Sequence, residues 1–270
     1  MLDSFETTAG TTAGLKHRKG ALANNQDAIL VHGSASLLTL TVSDGLSAAP
    51  HSFVASDQQV TWFTQLAHQF ALSGDGFDDV VWHKFADEIA NRIRTVANWS
   101  HLPLKEAVAH TWAATLASIV IGPEFTHFVA FGDARFLINE ELVVIEAANT
   151  DENQPSCPAY LVVPSTLDDD QLRFTVTTRR TEEIEHAAVA TDGLDYLIKS
   201  IGKLYPGTSE RIPALTHLWE SNELFAPNGM DNWLNYLGRD YRKPGNVLSG
   251  GKLADDLAIG VARRKKTMEV

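Results

Sequence analysis

Five aspartates stand at the ends of apolar, strand-like runs. Asp27 directly precedes "AILV", Asp44 follows "LLTLTVS", Asp133 follows "FTHFVAFG" and Asp192 follows "HAAVAT"; Asp255, with Asp256 beside it, directly precedes "LAIGVA". Each run would fix its neighbouring carboxylate at the rim of a packed sheet, where the backbone is rigid. If those rims coincide, several negative charges converge and raise one another's pKa values unless a cation is present. Oxygen-only ligands select Mg²⁺ or Mn²⁺ over zinc, and Mg²⁺ usually keeps several waters. The carbonyl of Gly45, next to Asp44, could add an oxygen, because glycine lets the main chain approach closely. Two such ions with a shared water suit phosphoester hydrolysis: they lower the water's pKa, screen the phosphate charge and orient attack. Taken singly, an Asp-Gly pair is an ordinary turn, and Asp before a strand or helix is often a cap or an Asx-turn. Only their order and common context make these residues specific.

The elements that would position them are legible from hydrophobic periodicity. Ala28 to Val31 and Leu37 to Val42 read as two strands joined by "HGSAS". Val60, Phe63, Leu66, Ala67 and Phe70 then recur at helical spacing, as do Val81, Phe85, Ile89, Ile93 and Val96. These predict two amphipathic helices joined near "SGDGFDD", with Pro50 at the opening of the first. Residues 113 to 145 return to short apolar or alternating runs, read as an antiparallel meander; 160–163, 172–177 and 186–191 continue the strand pattern, with "DDD" at 168–170 as a turn. Helical sequence is expected over much of 194–242, interrupted by Pro206-Gly207 and Pro227-Asn228-Gly229, and "LAIGVA" (257–262) is the last strand. Strands that follow one another without intervening helices favour antiparallel sheets, and so many strands exceed one twisted sheet. The predicted architecture is α+β: two packed antiparallel sheets flanked by pairs of helices, in one domain over 1–270 with a helical segment at about 194–250.

Composition narrows the function classes. The chain has 270 residues, 44% of them apolar and 21% charged, as in a globular domain. Its net charge of −12 argues against general nucleic-acid binding, which depends on clustered Lys and Arg. The short basic run "RRKK" at 263–266 reads as a solvated end. No apolar run has the length of a membrane span, the first residues lack a signal-peptide layout, and the single cysteine, Cys157, suits a reducing compartment; a cytoplasmic protein is the expectation. "GNVLSGGKL" fails as a phosphate-cradling loop, since Asn246 and Leu253 stand at two required positions. There is no G-x-S-x-G and no H-E-x-x-H, and Cys157 has no arginine beside it to cradle an anion.

In this order the aspartate motifs resemble those of the metal-dependent Ser/Thr protein phosphatases of type 2C, particularly their compact bacterial branch. "KHRKGALANNQDA" matches the branch's His, Gly and Gln-Asp-Ala opening. "VSDGLSAAPHS" matches its Asp-Gly metal motif before a helix, "TWAATLASIV" with "FGDARF" its Thr-rich strand and Gly-Asp, "ATDGLDYLI" its third Asp-Gly, and "LADDLAIGVA" its last acidic pair. The resemblance implies a β-sandwich between paired helices and a Mn²⁺- or Mg²⁺-dependent phosphatase acting on phosphoserine or phosphothreonine of proteins, paired with a Ser/Thr kinase. Asp44 would bridge two ions and Gly45 would offer its carbonyl, with Asp192 and Asp255 completing the site. Asp27 would lie outside the ligands and orient metal waters. Asp133 with Asp192 would hold a third, weaker ion, and Asp256 would be a hydrogen-bonding support. The implied reaction is attack by a metal-bound water with no covalent intermediate.

The sequence also departs from the family's pattern. Leu22 replaces a phosphate-gripping arginine, for which Arg18 or Lys19 could substitute. Leu46 stands where some members carry a histidine proposed as general acid, so that leaving-group protonation would fall to a metal-bound water. Tyr196 stands where an aspartate often supports the third ion, with Asp195 beside it. These departures motivate the alternative of a weakly active or inactive regulatory module that binds a phosphoprotein or partner.

Overall fold

The computed structural model describes residues 4–15, 17, 24–74, 76–145, 156–163, 172–243, 247–249 and 251–265. Arg18, Lys19, Leu22 and the turn expected at 168–170 lie outside these residues. Two five-stranded antiparallel sheets form the centre. One has the order β1 (Phe5–Thr12), β12 (Leu257–Arg264), β9 (His186–Ala190), β6 (Ala134–Ile138), β7 (Glu141–Ile145). The other has the order β2 (Ala28–Gly33), β3 (Leu38–Ser43), β4 (Leu116–Ile121), β5 (Phe125–Phe131), β8 (Thr175–Arg180). The α+β sandwich expected from periodicity is therefore the fold.

The side-chain alternation of a strand sends each sheet's residues into two different layers. From β3, Leu38, Leu40 and Val42 enter the core between the sheets, with Ile119, Phe128, Phe136 and Val189. On β3's other face the hydroxyls of Thr39 and Thr41 meet the first helix, through His68 Nε2 at 3.3 Å and Thr64 Oγ1 at 3.2 Å. That helix, α1 (Ser52–Ala71), and α2 (Asp79–Ala97) cover this sheet and bury Phe63, Phe85, Ile89 and Ile93 against Leu116, Val129 and Phe131. The Asp78 side chain caps α2 by accepting from Val81 N at 2.9 Å. A short α3 (Leu104–Ala107) and one π-helical turn, Val108–Trp112, lead back to β4.

The other sheet is covered by α4 (Leu194–Ile198), α5 (His217–Glu220) and α6 (Gly229–Gly238), with Leu194, Leu218, Met230 and Leu234 packed on Ala188, Leu257 and Ile259. Asp231 and Asn235 of α6 bond Thr11 N (3.0 Å) and Thr12 Oγ1 (3.1 Å), so α6 overlies the edge strand β1. A small hairpin, β10 (Tyr241–Lys243) with β11 (Val247–Ser249), follows. Among the described residues no helix is long and apolar enough to cross a membrane.

Several expectations are corrected. The run at 194–242 is not largely helical: its helices have 5, 4 and 10 residues and are joined by turns, because Pro206-Gly207 and Pro227 to Gly229 break every longer periodic stretch. Residues 160–163 are no strand; Pro158–Leu161 is a 3₁₀ turn, opened by a proline that fixes a helical φ. The strand expected at 172–177 begins at Thr175. The meander over 113–145 is split, since β5 and β6 belong to different sheets. Of the basic run expected at 263–266 to be a solvated end, Lys265 is exposed and Lys266 lies outside the described residues, but the run's first residue is not solvated. Arg263 is buried in β12 and donates to Glu6 Oε1 (2.8 Å), Trp219 O (2.7 Å) and Asn222 Oδ1 (2.8 Å). Finally β1 has no counterpart among the expected strands.

Candidate active site

The strand registers bring the aspartates to one end of the sandwich. In the β2–β3 ladder Ala28 pairs with Ser43, so the next residues outward on the two strands are Asp27 and Asp44. The Asp44-Gly45 step is held by the entry to β4: Thr115 N donates to Asp44 O (2.8 Å), Asp44 N to Thr115 Oγ1 (3.3 Å), and Leu46 N to Ala113 O (3.1 Å). Gly45 N also donates to Gln26 O at 3.2 Å. A Cβ on Gly45 would lie 2.6 Å from Ser52 Oγ and 2.7 Å from Gln26 O, so only glycine lets the loops before β2 and after β3 approach this closely.

The second sheet repeats the arrangement. Ala190 pairs with Ile259, placing Thr191 and Asp192 beyond one strand and Asp255 and Asp256 before its partner. Thr191 links the two halves of the site: its hydroxyl donates to Asp27 Oδ2 at 2.7 Å and accepts from Ala258 N at 3.1 Å. Asp256 is buried among backbone donors. Its oxygens accept from Gly14 N (2.7 Å) and Gln26 N (2.6 Å), and His17 Nδ1 lies 2.8 Å from Oδ2, so it clasps the β1–β2 connection onto the start of β12. Asp133 occupies the step between sheets. Gly132 before it has φ +96°, and a Cβ there would lie 2.4 Å from Ser156 O. That left-handed residue turns the chain from β5 into β6, which a meander would not require.

Electrostatics show which side chains sense each other. Burial raises the Asp27 carboxyl to about 8 against the lowering effect of Thr191, with the charges of Asp256 and Asp192 adding to the rise. Asp44 is pushed well above the usual range by burial and then by the charges of Asp27, Asp192 and Asp133. Asp192 rises to about 6 through burial, Asp133 and Asp255, and Asp133 is raised by burial. Asp27 Oδ1 is buried with no donor among the described residues and lies within reach of the Asp44 carboxyl. Such a cluster must hold extra protons or a cation.

The donor set, all oxygen and strongly anionic, fits a hard divalent ion. Among the described residues no three His, Cys, Asp or Glu side chains are already arranged to hold an ion by themselves. An ion that keeps several waters and takes one or two carboxylates needs no such closed cage, so the residues fit the Mg²⁺ or Mn²⁺ expected from the motifs. The cavities of about 270 Å³ beside Trp62 and about 390 Å³ beside His127 lie elsewhere.

The expected site residues Asp27, Asp44, Gly45, Asp133, Asp192 and Asp255 thus share one rim; Arg18 lies outside the described residues. Leu46 packs against the α1–α2 core and Tyr196 against the core of the opposite flank. Cys157 is buried and its thiol is pushed up to about 12, so it offers no nucleophile. Sequence reasoning missed three participants. Thr191 and Thr115 follow from their places beside Asp192 and at the Thr-rich approach to β4. Arg135 donates Nε and Nη2 to the two Asp195 oxygens, both at 3.0 Å, and its charge acts on Asp133 and Asp192. Only its position two residues after Asp133 could have signalled it, because residues i and i+2 of an extended chain share a side. Asp195, in the first turn of α4, is held as Arg135's partner.

Comparison with known proteins agrees with this arrangement. The family model described as protein phosphatase 2C matches residues 13–237. A search of curated proteins finds no match. Among solved structures, a bacterial serine phosphatase superposes with a TM-score of 0.56 at 13% identity, over 97% of this chain and 98% of that one. Serine/threonine phosphatase Stp1 from Staphylococcus aureus gives 0.53 at 13% identity, over 97% and 96%. The catalytic domain of the serine threonine protein phosphatase PstP, in complex with two manganese ions, gives 0.50 at 17% identity, over 97% and 99%. The shared fold and the family match over most of its length establish that the chain belongs to the protein phosphatase 2C family.

Proposed function

We propose that the chain is a Mn²⁺- or Mg²⁺-dependent phosphomonoester hydrolase that removes phosphate from serine or threonine of proteins, in the cytoplasm and opposite a Ser/Thr kinase. The observation that carries this reading is the convergence of Asp27, Asp44, Asp133, Asp192 and Asp255, with Asp27, Asp44 and Asp192 raised by burial and by neighbouring carboxylates and Asp133 raised by burial. The two manganese ions of PstP support the choice of metal.

Asp44, Asp192 and Asp255 are the residues that would hold the ions, with the Gly45 carbonyl beside them. When bound, a pair of hard cations screens the phosphate charge and acidifies water for in-line attack. Asp27, fixed through Oδ2 by the Thr191 hydroxyl, has its carboxyl within hydrogen-bond reach of that of Asp44 and would orient water there. Thr115 and Gln26 hold the Asp44-Gly45 backbone rigid, so the carboxylates are positioned before substrate arrives. The side chain of Leu46 has no proton to give a leaving alkoxide.

Purified chain with added Mn²⁺ should hydrolyse an aryl phosphate or a phosphopeptide, and Asp44→Asn should abolish that turnover. Metal-independent hydrolysis that survives Asp44→Asn would refute the assignment. A second reading, a regulatory module that binds a phosphoprotein without cleaving it, is favoured by Leu46 and Tyr196, which stand where the family's pattern has a general acid and a support for the third ion. Calorimetry separates the two, since absence of Mn²⁺ binding at millimolar concentration is the module's signature.

A further inference from the structure

Resting on that reading, we propose that Arg135 is a fixed cation where the family resemblance implies a third ion, so that this chain takes two divalent ions and not three. A third ion at Asp133 and Asp192 would need another oxygen ligand nearby and a space free of positive charge. Among the described residues neither condition is met.

The residue in the supporting position is Tyr196, whose ring packs on the neighbouring core with the Lys199 ammonium 5.3 Å from its centre. The adjacent carboxylate, Asp195, is engaged through both oxygens by the Arg135 fork at 3.0 Å each. This is the short, bidentate, charge-assisted geometry that resists displacement. The Arg135 side chain is only 11% exposed, so its charge is poorly screened by water. Its position on β6 is fixed by the ladder, where it pairs with Val144 on one side and Ala190 on the other. Arg135 is two residues after Asp133 on the chain and pairs with Ala190, two residues before Asp192, so the ladder sets its charge beside both carboxylates, where an ion would otherwise sit. A divalent ion arriving there meets a like charge that cannot withdraw.

The alternative is that the pair merely ties α4 to β6. The two differ in whether charge or fork geometry matters. Mn²⁺ equivalents are counted by equilibrium dialysis and calorimetry on the full chain. Wild type should bind two, Arg135→Gln should add a third with at least about a tenfold gain in affinity at that step, and Arg135→Lys, which keeps the charge without the fork, should stay at two. Three equivalents in wild type, no gain in Arg135→Gln, or an equal gain in Arg135→Lys would overturn the proposal. Should Arg135→Gln fail to fold, Asp195→Asn keeps the charge and still decides, since a third equivalent there contradicts exclusion by the guanidinium and a count of two upholds it. Two ions in wild type and three in Arg135→Gln, with no turnover of an aryl phosphate by either, would sink the phosphatase reading and leave this proposal standing; no binding by either protein would sink both.

Discussion

Asp27→Asn should make the metal-free protein more stable at alkaline pH while weakening its response to Mn²⁺. Asp27 in the folded chain has its pKa raised to about 8 from an ordinary 3.8. Between those values the native state keeps a proton that the unfolded state has lost. Stability therefore falls as pH rises through this window, and the contribution of the neutral acid is gone above about pH 8. The gap corresponds to an upper bound of about 6 kcal/mol. Asparagine removes the charge at similar shape: it can still accept from the Thr191 hydroxyl and can donate to Asp44, where the shared proton would otherwise lie. Histidines act with opposite sign. His127, lowered to about 4 by burial, adds stability as pH rises from about 4 to 6.5, and the lowered His68, His186 and His217 act in the same direction. Comparing pH 6.5 with pH 9 leaves the histidines out, and the small loss from the raised Cys157 thiol is common to both proteins. Urea denaturation in chelator should show wild type losing several kcal/mol over that interval and Asp27→Asn losing clearly less, with the variant the more stable at pH 9. Added Mn²⁺ should stabilise wild type by mass action and the variant less. Parallel pH profiles for the two proteins, or a variant weaker at pH 9, would refute the buried-carboxylate account.

Two further outcomes test how the rim is built. Gly45→Ala should cost about 1–3 kcal/mol in urea denaturation, the range of an overpacked site, because the new methyl meets Gln26 O at 2.7 Å and Ser52 Oγ at 2.6 Å. Phosphatase activity should fall further than this loss of folded protein explains. Arg263→Met should destabilise by about 2–4 kcal/mol, measured the same way, since three hydrogen bonds of a buried guanidinium are lost together with its packing over Phe225 at 3.8 Å.

The long elements were legible because their periodicity was unambiguous. Phe63, Phe85, Ile89 and Ile93 recur at helical spacing and do face one core. β1 was missed because "FETTAGTT" is polar and rich in threonine, and its pairing energy comes from the ladder to β12 and the cover of α6, neither of which is local. The same non-locality explains the split meander. Nothing in the order of apolar runs says that β5 and β6 lie in different sheets; the left-handed Gly132 between them is the local trace, and an isolated glycine before an aspartate reads equally well as a hairpin turn.

The site was more legible than the fold for a geometric reason. An antiparallel register makes a residue before one strand the neighbour of a residue after its partner, so Asp27 with Asp44, and Asp255 with Asp192, are paired by the same ladders that pair the apolar runs. Once the strands are found, the carboxylates follow. Packing the two sheets then sets one pair against the other, and the Thr191 hydroxyl bonded to Asp27 is the contact that joins them. Side chains whose partners lie across layers carry no such signature. Arg135 and Asp195 are 60 residues apart, on a strand and on a helix, and their pairing depends on which oxygens α4 turns towards β6. Carboxylates set by strand register can therefore be read from the sequence, whereas the Arg135 charge beside them is placed only when helix and sheet meet.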